Sequence, residues 1–107
     1  MDSILIFWRN QLVGTMINIV PDMWYLEGDW ISNKSAFADE FEARLTNLEF
    51  KKVLKDPTIS TRIEFQSYGQ NERKSIAIIM GIIDNVLCIR RIANKEAIDW
   101  IVKNVPE

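Results

Sequence analysis

The residues best equipped for chemistry are crowded into one ten-residue stretch, Pro21-Asp22-Met23-Trp24-Tyr25-Leu26-Glu27-Gly28-Asp29-Trp30, which holds three acids and three aromatics. On a β-strand Glu27 and Asp29 point the same way, roughly 7 Å apart, with Tyr25 on their face. Carboxylates paired in this way could bind a divalent cation or divide general acid and base roles. Exposed aromatics beside fixed charge are also typical anchors for a protein partner. Simple alternation produces the same arrangement without any function: Trp24 and Trp30 are then core, and the acids are the wet face of a strand. Asp22, Trp24, Tyr25, Glu27, Asp29 and Trp30 are therefore the candidate partner- or ligand-binding residues. Two or three oxygens without a loop of ligand spacing make a weak metal set, so no metal ligand and no cofactor is assigned.

The rest of the chain withholds most catalytic equipment. It contains no histidine, which excludes Ser-His-Asp and Cys-His catalysis and any zinc site that needs imidazole. The four glycines, at 14, 28, 69 and 81, are scattered and precede no helix, so no phosphate-cradling loop is present. The single cysteine, Cys88, lies mid-strand between Leu87 and Ile89 and reads as a small hydrophobe rather than a nucleophile. It cannot form an intramolecular disulfide, which fits a reducing compartment. Lys51, Lys52 and Lys55 read as a solvated helix face, while Arg90 and Arg91 fall on opposite faces of a strand, one of them expected to pair with a carboxylate. No catalytic residue is assigned.

Charge narrows the partner classes. The net charge is −2, against the basic balance of a phosphate-tracking nucleic-acid binder. Residues 1–50 carry eight acids and three bases, and residues 51–107 seven acids and ten bases. The apolar run Ile4–Trp8 is too short to span a membrane and lacks the basic lead of a signal peptide, so the expected location is cytoplasmic, without a membrane partner.

The elements that must position these residues follow from periodicity. At 107 residues, 48% apolar and 26% charged, the chain reads as one globular domain, 1–107. Residues 3–8, 12–20 and 24–31 read as strands, with Gly14 a bulge or close-approach point. Ser35 is a helix N-cap candidate before Phe37, Phe41, Leu45 and Leu48, and Thr46-Asn47-Leu48-Glu49 has the spacing of a capping box that would restart the helix. Asp56-Pro57 ends it. Residues 59–67 alternate as a strand, 68–73 form a polar loop, and 75–83 with 86–92 form a hairpin about Asp84-Asn85. Asn94 caps a last helix. The expected fold is α+β: an antiparallel sheet in βββ-α-βββ-α order, with helices packed on one face. The strand over 75–83 is apolar on both faces, with Ile76, Ile78, Met80 and Ile82 on one and Ala77, Ile79, Gly81 and Ile83 on the other. Helices cover only one such face; a layer of N-terminal strands is the preferred cover for the other, and a second copy of the chain the alternative.

The functional reading that follows is a non-enzymatic protein-binding or inhibitory module. It would meet a partner, expected to be basic, through the 22–30 face and the acidic helix at 39–42. In size and charge alone this resembles bacterial toxin-immunity proteins. The alternatives are a carboxylate-dependent ligand binder or enzyme built on Asp22, Glu27 and Asp29, and a self-associating module using the second apolar sheet face.

Overall fold

A computed structural model describes residues 3–69 and 73–107. Among them six strands close into an antiparallel barrel in the order β1-β2-β3-β6-β5-β4: β1 Ser3–Trp8, β2 Gln11–Asp22, β3 Tyr25–Ser32, β4 Arg62–Ser67, β5 Ser75–Ile83 and β6 Val86–Ile92. Helices α1 (Ala36–Leu45) and α2 (Phe50–Lys55) and a 3₁₀ turn at Pro57–Ile59 join β3 to β4, and α3 (Lys95–Asn104) follows β6. Part of the polar loop expected over 68–73 lies outside the described residues.

The closed barrel corrects the expected α+β sheet with helices on one face. Each half of the chain is a three-stranded meander whose first and last strands pair with their counterparts, β1 with β4 and β3 with β6. Closure satisfies the edge hydrogen bonds that an open sheet would leave unpaired. The inner wall is filled by side chains, as a barrel of this size requires. Ile4, Ile6, Trp8, Val13, Met16, Leu26, Trp30, Ile63, Phe65, Ala77, Ile79, Leu87 and Ile89 form one buried cluster with Ala38, Phe41 and Leu45 of α1. Helix α1 is thus a plug in one mouth of the barrel, not a layer on a sheet. Phe37 and Phe41 meet Trp8 at centroid distances of 4.8 and 5.6 Å, and Phe41 meets Trp30 at 5.6 Å.

The two-faced apolar character of β5 is resolved within the chain. Its inner face looks across the barrel towards the N-terminal strands. On the outer face Ile78 and Met80 pack with Val53 of α2 and with Ile101 and Val105 beside and within α3. A bulge shifts the register between Ile79 and Gly81, so the alternation inverts. Ile82 then packs against the interior cluster, while Ile83 turns out to solvent at 74% exposure.

Local signals explain the turns and caps. Arg9 and Asn10, and Asp84 and Asn85, have the positive φ at both central positions that tight hairpins need. Ser35 Oγ accepts from Ala38 N at 3.0 Å, and Asn94 Oδ1 from Ala97 N at 3.1 Å. The helix breaks where the capping-box spacing falls, but the box does not form: Glu49 is the N-cap of α2 and its side chain makes no capping bond. A Cβ on Gly14 would overlap the Ile31 carbonyl and stand 2.5 Å from Trp30 Cη2, so the close approach of β2 to β3 requires glycine there.

Candidate binding face

Strand β3 sorts the candidate residues. Leu26, Gly28 and Trp30 point inward, while Tyr25, Glu27 and Asp29 lie on the outer wall. Trp30 is 3% exposed and donates its indole N–H to Glu42 Oε1 at 2.7 Å. Trp24 does not share its environment. It sits in the two-residue turn between Asp22 and Tyr25, after Met23 at φ 57°, and is 52% exposed. A turn residue escapes the strand alternation, which separates the two tryptophans: one is core, the other surface.

The outer acids are not equivalent. Asp29 Oδ2 accepts from Asn18 Nδ2 at 2.9 Å, a bond made possible by the bulge between Ile17 and Val20 that holds Asn18 at φ 53°. Glu27 is exposed and faces a different neighbourhood. Opposite it across the β3–β6 ladder is Cys88. Burial first, then the charges of Glu27 and Asp22, push the Cys88 thiol up from 9.0 to about 11. A thiol so held is protonated at neutral pH and unsuited to nucleophilic work. The Tyr25 ring meets that of Phe50 of α2 at a tilt, with centroids 5.3 Å apart. Among the described residues no group of three or more Asp, Glu or Cys side chains is placed to hold a metal ion.

Glu27 and Cys88 lie on the wall of a groove of about 460 Å³. The other wall is the corner between α1 and α2, formed by Leu48, Glu49 and Phe50. The end of the β5–β6 hairpin completes it with Gly81, Ile83 and Val86. The lining is largely apolar, with carboxylates from Glu27 and Glu49 and no base. Glu49 pairs with Lys52 at 3.3 Å, but both side chains are well exposed, so the pair is weak and exchangeable. Asp39, Glu40 and Glu42 of α1 are not part of the groove: Glu40 pairs with Arg9 at 3.7 Å and Glu42 holds Trp30.

The groove therefore gathers Glu27 from the candidate set, and Cys88, with residues that the sequence did not single out. Their only signal was apolar side chains next to structure breakers: Ile83 and Val86 about Asp84-Asn85, and Leu48 and Phe50 about the helix restart. Asp22 and Trp24 sit at the far end of β3, and Trp30 is inside the barrel.

Fold and surface together define a small closed antiparallel barrel with a lateral, acid-edged groove. Comparison with protein-family models, curated proteins and solved structures gave no match. Among the described residues no helix is long and apolar enough to cross a membrane.

Proposed function

We propose that the protein is a non-enzymatic binding module that takes an apolar side chain flanked by lysine or arginine from a partner protein into the groove beside Glu27. The observation that carries this reading is the groove's composition: an apolar lining whose charges, Glu27 and Glu49, are both negative. An apolar anchor would gain from burial against Phe50, Ile83 and Val86. Flanking cations would gain from the two carboxylates, and the same charges would steer the encounter. Ile83 and Val86, partly or largely exposed in the free protein, supply apolar area that a partner would cover.

The test is affinity capture on the immobilised native chain, compared with a Glu27→Lys/Glu49→Lys variant and with Asp39→Lys as a control away from the groove. A partner retained by the native and control proteins, released by salt and lost with the double variant supports the reading. Identical retention by all three proteins, or retention indifferent to salt, would refute it.

A further inference from the structure

A second cavity lies at the end of the barrel away from the α1 plug, where β3 begins and β6 ends. We infer that it binds a small aromatic oxyanion, with Arg90 and Arg91 supplying the charge and Trp24 the aromatic wall. The inference is independent of the groove described above.

The cavity measures about 450 Å³, within the range of small-ligand sites and sufficient for one ring bearing a headgroup. Met23 and Trp24 of the β2–β3 turn form one side, and Ala93 and Ala97 at the start of α3 the other. Its lining contains two arginines and no acidic residue. Asp22 and Glu96 adjoin lining residues in sequence without entering it. Two other arginines are paired with acids: Arg9 with Glu40 at 3.7 Å and Arg62 with Glu107 at 3.3 Å. Among the described residues Arg90 and Arg91 join no such pair, contrary to the carboxylate partner expected for one of them.

The two arginines reach the cavity from opposite faces of β6. Arg91 is opposite Ala77, an inward residue, so it stands at the barrel mouth; Arg90 is opposite Ile78 on the outer wall. Arg91 donates through Nη2 to the Met23 carbonyl and through its backbone N–H to the Trp24 carbonyl at 2.7 Å. These bonds fix the turn that carries Trp24 to the strand that carries the charge. The Nε of Arg91 is buried without a hydrogen-bond partner, and Arg90 lies over the Tyr25 ring, 5.9 Å from its centroid. Two uncompensated cations beside an apolar wall leave a local positive charge that an oxyanion would neutralise. An exposed indole beside guanidinium groups suits an aromatic body better than an aliphatic one.

Phenyl phosphate is a suitable probe, titrated against the ¹⁵N-labelled chain, with inorganic phosphate and phenol as the separated halves of the ligand. Saturable shifts of the Trp24 indole and the Ala93 and Ala97 amides are expected, with phenyl phosphate binding more tightly than either half. Arg90→Gln, which removes no hydrogen bond seen in the fold, should weaken binding roughly tenfold, the scale of one charge-assisted bond. Trp24→Ala should weaken phenyl phosphate but leave inorganic phosphate unchanged. Unshifted resonances, phenol binding as tightly as phenyl phosphate, or unchanged affinity in an Arg90→Gln protein with a native spectrum would each overturn the inference.

Discussion

The indole N–H of Trp30 meets Glu42 Oε1 at 2.7 Å, so a residue of the barrel interior is hydrogen-bonded to the helix that plugs its mouth. Trp30 is nearly inaccessible, and loss of the acceptor would leave its N–H without a partner in an apolar setting. Glu42→Ala should lower stability by about 1–3 kcal/mol. Glu42→Gln, which keeps a carbonyl oxygen in reach, should cost less. Urea denaturation of the three proteins checks this; equal midpoints for native and Glu42→Ala would contradict it.

The glycines differ sharply in what they can accept. A Cβ at Gly14 would overlap the Ile31 carbonyl, and backbone cannot yield as a side-chain tip can. A Cβ at Gly81 would meet Leu48 O at 3.4 Å, an ordinary contact on the groove floor. Gly14→Ala should therefore destabilise by about 1–3 kcal/mol or more, the overpacking range, while Gly81→Ala should stay close to native. Thermal melts of both variants decide the matter, and a native-like Gly14→Ala would mean that β2 and β3 lie further apart than described.

Both faces of β5 are buried, and this separates a barrel with outer helices from a sheet covered on one side. Ile79 is 0% exposed inside the barrel and Ile78 is 2% exposed beneath the outer helices. Truncation to alanine at either position should cost about 2–5 kcal/mol. A near-neutral Ile78→Ala would place α2 and α3 elsewhere.

The alternation of β3 was legible because Leu26, Gly28 and Trp30 share a face whether the sheet is flat or rolled. Barrel closure was not legible. It depends on β1 pairing with β4 and β3 with β6, contacts between distant parts of the chain that leave no local trace in period or composition. Whether Trp24 shares the burial of Trp30 was not legible, because the strand pattern continues by one residue into a turn. Ile82 and Ile83 exchanged faces because a bulge inverted the phase after Ile79. At the candidate face, Glu27 stood out by its pattern. Its groove neighbours, Phe50 and Val86, come from elements whose meeting only the folded chain reveals.

Cys88 should behave as a protected thiol. Its pKa is raised from 9.0 to about 11 by burial and by the nearby Glu27 and Asp22 charges. Iodoacetamide should react slowly with the native protein at pH 8 and quickly after denaturation, with the native rate rising towards pH 11. The folded state holds the proton more tightly than the unfolded one, so this group's contribution to stability is complete below pH 9 and is lost as pH rises through 11. Cys88→Ala should lack that part of the alkaline decline, seen by comparing denaturation midpoints at pH 8 and pH 10.5. A native thiol alkylated at neutral pH as fast as the unfolded one would contradict this placement.

The central claim is that Glu27 and Glu49 edge a groove made for an apolar anchor flanked by cations. Its most direct measurement is the association rate of a partner isolated on the native chain, followed across ionic strength with the native and Glu27→Lys/Glu49→Lys proteins. The account predicts a rate that falls steeply with salt for the native chain and is slow throughout for the folded double variant. A rate independent of salt and equal in the two proteins would contradict it.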